Sequence, residues 1–212
     1  MTPRTSERET IDGPAGALEI VINVPPAPPS GIVLVAHPHP LQGGTLDNKV
    51  VQTLAKTFFA LGYVAVRFNF RGVGMSAGVF DEGRGETDDA LAALAHARRR
   101  FGEALPVALA GFSFGAFVQS RVAQRIAAER LVLVAPAVQR FAVETVPADT
   151  IVIHGEQDDV VPLADALAWA RPQQLPIVVF PGCGHFFHGR LTQLQRVVSG
   201  MWERRPTVAP NA

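Results

Sequence analysis

Cysteine is almost absent from this chain: Cys183 is the only one among 212 residues. A single thiol cannot close an intramolecular disulfide, so burial and hydrogen bonding must hold the fold, and nothing points to an oxidising compartment. An excess of charge of either sign is missing too. Nineteen Lys and Arg balance nineteen Asp and Glu. Nucleic-acid binders carry a basic excess, and disordered chains a high net charge; this composition argues against both. Long apolar runs are lacking as well, since none approaches the roughly 18 residues of a membrane span. The opening MTPRTSERET has no apolar stretch of the kind a signal peptide needs. The expectation is a cytoplasmic protein without membrane or nucleic-acid partners, monomeric or in a small homo-oligomer.

Apolar residues make up 48% of the chain, enough for one sizeable core, and a single domain over residues 1–212 is expected. Short β-branched runs alternate with longer amphipathic stretches, the pattern of a parallel sheet covered by helices. Residues 8–11 and 18–24 flank the turn-rich DGPAG and predict an antiparallel hairpin, and PPAPPS then forbids regular structure. Strands follow at IVLVA, YVAVRFNF, VALAG, LVLVA, TIVIHG and PIVVF. Helices are predicted over 47–61, 88–100, 114–128, 163–170 and 191–204. The fold expected is a three-layer α/β/α sandwich on an eight-stranded, mostly parallel sheet with right-handed crossovers. About fifteen residues separate LVLVA from TIVIHG, which leaves room for a loop or short helix but not for a large lid.

Gly111-Phe112-Ser113-Phe114-Gly115 fits G-x-S-x-G, weak as a pattern but strong where it stands, between a strand and a helix. A serine presented above a sheet sits in a sharp, strained turn, and its neighbours two before and two after must be small. A hydroxyl is a poor nucleophile without a base, and the base must be held in one tautomer by a third group. Carboxylates follow the TIVIHG strand at Glu156, Asp158 and Asp159. All three are open as the orienting acid on the residues alone, and a solvated turn suits Glu156 and Asp159. His185 and His188 follow the PIVVF strand. Both are available as the base, and His188 is expected at the start of the last helix. Cys183 belongs to the same loop and reads as an incidental thiol.

Acyl transfer develops an oxyanion, which needs N–H donors. One is expected from the amide of Phe114. The second should come from the loop His37-Pro38-His39-Pro40-Leu41, where proline has no N–H to give; His39 and Leu41 remain, with His39 favoured by its position. His37 and His39 lack further ligands at a metal-binding spacing, so no metal is expected. Arg71-Gly72-Val73-Gly74-Met75-Ser76 lacks the phosphate-loop spacing and its lysine. It reads as a tight turn with Arg71 pinning neighbouring loops. Phe112, Phe114, Phe186 and Phe187 stand as candidates for either an acyl pocket or the core.

HPHPLQGG, NFRGVGMS, GFSFGA, HGEQDDVVP and GCGHFF, in this order over nearly the whole chain, resemble the α/β-hydrolase superfamily, near its dienelactone-hydrolase and carboxylesterase branches. The resemblance implies a small-molecule acyl substrate, most simply an ester, a Ser113–His185–Asp158 triad and no cofactor. Thioesterase, peptidase or haloperoxidase-like activity on the same groups, or a non-catalytic binding role, remain as alternatives. The missing lid implies an open site for small or exposed acyl groups.

Overall fold

A computed structural model describes residues 6–203. Residue 204, the expected end of the last helix, lies outside the described residues, as do the first five residues of the opening segment. The elements run β1 (Ser6–Gly13), β2 (Gly16–Asn23), β3 (Gly31–Ala36), α1 (Lys49–Ala60), β4 (Tyr63–Phe68), α2 (Arg84–Phe101), β5 (Val107–Phe112), α3 (Phe114–Val122), β6 (Arg130–Val134), β7 (Ile151–Gly155), α4 (Leu163–Ala170), β8 (Ile177–Phe180) and α5 (Leu191–Glu203). All eight strands form one sheet in the order β1-β2-β4-β3-β5-β6-β7-β8. The β1–β2 hairpin is antiparallel, β2 joins β4 antiparallel, and every pair from β4 to β8 is parallel. This is the expected α/β-hydrolase sheet without a lid. Among the described residues no helix is long and apolar enough to cross a membrane.

The central strands are apolar without interruption because both of their faces are covered. Along β3, Ile32, Leu34 and Ala36 enter one core with Leu109, Ala93 and Val118, beneath α2 and α3. Val33 and Val35 enter the other, with Leu54, Phe58 and Trp202 of α1 and α5. The period of two along one strand thus feeds two layers.

Several elements differ in length from the sequence reading. β4 stops at Phe68: the Asn69 amide still donates to the Glu19 carbonyl of β2, but the Phe70 amide turns away to His37 Nε2. α2 begins a turn earlier than residue 88. The buried Glu86 carboxylate reaches back to the amides of Asp81 and Gly83 and caps the helix start. Gly85 belongs to that helix because a Cβ there would lie 1.9 Å from the Arg71 guanidinium. Arg71 packs across the helix, donating to Asp89 through Nε (3.0 Å) and Nη2 (2.9 Å) and to the Gly85 carbonyl (2.7 Å). The sequence reading has Arg71 pinning neighbouring loops; it instead pins its own loop to helix α2. α3 ends at Val122 rather than 128, where i→i+3 bonds at Gln124 and Arg125 tighten the chain toward β6.

Chain order and spatial order part company at β3. The chain leaves β3 toward β4 on one side and later returns to its other side as β5. Such a switch point opens a crevice at the carboxyl ends of the two strands. The β3 loop and the Gly111–Gly115 turn meet there.

Candidate active site

Ser113 occupies the turn between β5 and α3 with φ 56° and ψ −117°, a backbone conformation that costs a non-glycine residue on the order of 1–3 kcal/mol. Its surroundings enforce it. The Ser113 amide donates to the Val134 carbonyl, and the Ser113 carbonyl accepts from Ala116 at 3.0 Å. Both flanking glycines are sterically required, though not for one reason. A Cβ on Gly111 would stand 2.4 Å from the Gly115 carbonyl oxygen, so this glycine answers to the turn itself. A Cβ on Gly115 would stand 2.3 Å from the carbonyl oxygen of Ala36. That second glycine lets α3 press against the end of β3.

The loops after β7 and β8 bring the other two predicted residues to Ser113. His185 Nδ1 lies 2.7 Å from Asp158 Oδ2, and its Nε2 lies 3.1 Å from Ser113 Oγ. An ionised carboxylate can only accept, so Nδ1 carries the proton and donates, which leaves Nε2 to accept from the serine hydroxyl. All three side chains are buried. Burial alone would raise the Asp158 pKa; the His185 hydrogen bond and the Val161 amide outweigh it and hold the group below the usual carboxylate value. Asp158 Oδ1 accepts from the amides of Val160 (3.0 Å) and Val161 (2.8 Å), so neither oxygen lacks a donor.

The two loops are stapled together. Glu156 and Gln157 donate their amides to the carbonyls of Phe180 and Cys183, and Glu156 Oε2 accepts from the Gly182 amide at 2.8 Å. Glu156 is thus a tie between loops, and Asp159 is exposed beside it. Gly155 permits the approach, since a Cβ would meet the Cys183 carbonyl at 2.3 Å. Cys183 is buried, and burial raises its thiol pKa, which keeps it protonated and unreactive. His188 is exposed in the turn before α5 rather than within the helix, and it does not join the Ser113 chain.

One residue of the arrangement was not singled out from the sequence. His154, the penultimate residue of β7, is fully buried; its Nε2 lies 2.8 Å from the Val161 carbonyl and 3.5 Å from Asp158 Oδ2. It holds the loop whose amides bind Asp158. Burial lowers its pKa despite the nearby carboxylate, so the ring is neutral and acts as a donor to the carbonyl. The signal was only the position, four before the acid at a strand end.

The front loop divides its histidines. His37 is buried, with Nδ1 2.7 Å from the Pro38 carbonyl and Nε2 accepting from the Phe70 amide. Burial pushes its pKa down to about 3, and both nitrogens are spent within the fold. His39 is half-buried against Phe80, Phe114 and Phe141. Its Nδ1 accepts from the Leu41 amide at 3.2 Å, which engages one of the two candidate donors. The amides of His39 and Phe114 have no acceptor among the described residues. Both residues border the cleft into which Ser113 opens.

That cleft is shallow, with a cavity volume of about 20 Å³, and opens to solvent. Phe114, Ala137, Phe141 and Val161 are among its apolar lining residues, and His39, Gln42 and Arg140 among its polar ones. Of the four candidate phenylalanines, Phe112 and Phe187 are fully buried in the core, Phe114 is buried at the cleft floor, and Phe186 is exposed beside His185. A larger hollow, bordered by Asn23, Gln52, Lys56 and Arg67, shares no residue with this cleft and holds no histidine base.

The model of the X-Pro dipeptidyl-peptidase (S15) family matches residues 12–146. An α/β serine hydrolase homologue from Coxiella burnetii is 40% identical, with a TM-score of 0.85 over 94% of this chain and 98% of that one. A lidless α/β serine hydrolase from Xanthomonas campestris is 37% identical, with a TM-score of 0.88 over 99% of each chain. An uncharacterized protein of Rickettsia prowazekii is 31% identical over 89% of this chain and 85% of its own length. The chain belongs to the S15 family, within the α/β serine hydrolases.

Proposed function

We propose that this hydrolase cleaves small or exposed acyl esters through an acyl-enzyme on Ser113. The observation that carries the reading is the buried Asp158–His185–Ser113 hydrogen-bond chain, ending at an open cleft with two uncommitted amides. Ser113 Oγ attacks the ester carbonyl as His185 Nε2 takes its proton. The His39 and Phe114 amides receive the oxyanion. The C–O bond to the alcohol then breaks, and His185 returns the proton to the leaving oxygen. Water attacks the acyl-enzyme, gives a proton to His185, and releases the acid as the proton returns to Ser113. Asp158 remains ionised and holds the imidazolium. The mechanism needs no cofactor.

A peptidase reading is favoured by the family to which the chain belongs. Releasing an N-terminal dipeptide requires a carboxylate to hold the free ammonium of the substrate. Among the described residues no carboxylate lines the cleft, and Arg140 does. This supports the ester over the dipeptide.

The test is hydrolysis of 4-nitrophenyl esters from two to twelve carbons, beside alanyl-prolyl-4-nitroanilide and an acyl thioester, with Ser113→Ala as control. Turnover of short esters, lost by about 10⁴-fold or more in the variant, is the expected result. Turnover of the anilide alone would replace the ester reading by the peptidase one. Ester turnover surviving in Ser113→Ala would remove the nucleophile assignment.

A further inference from the structure

The polar side of the cleft is made of donors. Arg140 is exposed in the loop between β6 and β7, and it has no ion pair or side-chain hydrogen bond among the described residues. Many of the other arginines are committed: Arg8, Arg67, Arg71, Arg84, Arg100, Arg125 and Arg130 each pair with a carboxylate. His39 accepts from the Leu41 amide through Nδ1, so in the neutral ring the proton sits on Nε2, which is left without an acceptor. The Arg140 charge is near enough to be felt at this ring: burial, and after it Arg140, lower the His39 pKa. Gln42 adds an uncommitted amide from the same loop as His39. Asp158 is the nearest carboxylate to the reacting serine in the hydrogen-bond chain, and it is spent on His185 and two amides.

Resting on the ester reading, we propose that Arg140, with His39 Nε2 and Gln42, forms a subsite for a carboxylate carried by the substrate, so that the preferred esters are anionic. The apolar lining of the same cleft, Phe114, Phe141 and Val161, takes the short apolar segment between that carboxylate and the scissile carbonyl. A guanidinium with no internal partner keeps its full hydrogen-bonding capacity for a ligand, and its planar fork matches a carboxylate. Because it is solvated, it discriminates by charge at the contact and loses strength in salt.

The test compares two matched pairs of esters in the wild type, Arg140→Gln and Arg140→Glu. On the acyl side, mono-4-nitrophenyl glutarate is set against 4-nitrophenyl pentanoate. On the alcohol side, 4-acetoxybenzoate is set against 4-methylphenyl acetate. The readout is the kcat/KM ratio of the charged to the neutral member. In the wild type one pair favours its charged member, and that ratio falls about tenfold in Arg140→Gln, falls further in Arg140→Glu, and declines as NaCl rises. Which pair responds tells whether the carboxylate belongs to the acyl or the alcohol part. Equal loss on both members of both pairs, or a ratio that Arg140→Gln leaves unmoved, overturns the subsite while leaving the ester reading intact. If no ester of either pair is cleaved, the ester reading fails, and the subsite is read from labelling of Ser113 by a neutral fluorophosphonate. Glutarate then slows labelling of the wild type but not of Arg140→Gln, and equal protection of both overturns the proposal.

Discussion

The two sides of the Ser113 cleft are built on opposite plans. On the side of β7 and β8, the groups are buried and tied into place: Asp158 accepts three hydrogen bonds, from His185 and two amides, and two backbone bonds and the Glu156 carboxylate hold its loop to that of His185. On the side of the β3 loop and the β6–β7 loop, His39 is half-buried, and Gln42 and Arg140 are exposed without side-chain partners. Chemistry needs atoms held to within a fraction of an ångström, which packing and backbone donors supply. Recognition needs groups still free to bond, which a fully satisfied network cannot offer. The organised side therefore suits the proposed acyl-transfer chemistry, and the loose side suits the proposed recognition of the substrate.

Three perturbations sharpen that contrast. The largest effect is expected from Asp158→Asn, which keeps the shape but allows the wrong imidazole tautomer. kcat should fall by about 10⁴-fold with the fold retained by circular dichroism, and a loss under tenfold would mean that the acid is not the orienting group. Next comes Gly115→Ala. Its Cβ would strike the Ala36 and His37 carbonyls at 2.3 and 2.6 Å, backbone atoms that cannot step aside, and a loss of about 3 kcal/mol is expected in urea unfolding. Gly43→Ala, at φ 78° with nothing within 4 Å of the added carbon, should cost only about 1 kcal/mol. A Gly115→Ala cost no larger than that of Gly43→Ala would show that the end of β3 yields to the added carbon.

A further effect is a dependence of stability on pH. Folded His37 titrates at about 3 against 6.5 when unfolded, so the unfolded chain takes up a proton that the folded one refuses. His37 thus contributes stability that is present above pH 6.5 and is lost as the pH falls toward 3, at about 1.4 kcal/mol per pH unit. His154 shifts in the same direction and adds to the slope. Asp158, also depressed, adds its own loss only below its ordinary value of 3.8. Urea midpoints at pH 7, 6 and 5 measure this, and His37→Gln should flatten the slope. An unchanged slope in that variant would assign the acid sensitivity to another group.

The architecture was legible because periodicity reports burial directly. The uninterrupted apolar runs at β3, β5 and β6 announced strands covered on both faces, and all eight strands were placed. Helix ends were less so. The start of α2 depends on Glu86 bonding back to Gly83 and on Gly85 yielding to Arg71, contacts between segments that no local pattern encodes. The β1–β2 edge hides another such case. Glu19 is buried, and burial would raise its pKa, but hydrogen bonds from the Met75 amide and Asn69, with Arg8 beside it, hold it low. In the sequence it is one acidic residue within an apolar strand.

At the site the same boundary appears. The sequence by itself determined the order of Ser113, Asp158 and His185 and the strand end that bears each, because a nucleophile turn, an acid loop and a base loop each carry a local glycine pattern. Only the tertiary structure decided that His154 braces the acid loop, that the Leu41 amide is spent on His39 while the His39 amide is free, and that Arg140 lines the same cleft as Ser113. Those facts depend on which atoms of distant segments reach hydrogen-bonding distance. That is fixed when the sheet brings the ends of β3, β5, β6 and β7 together, and not by any residue's neighbours in the chain.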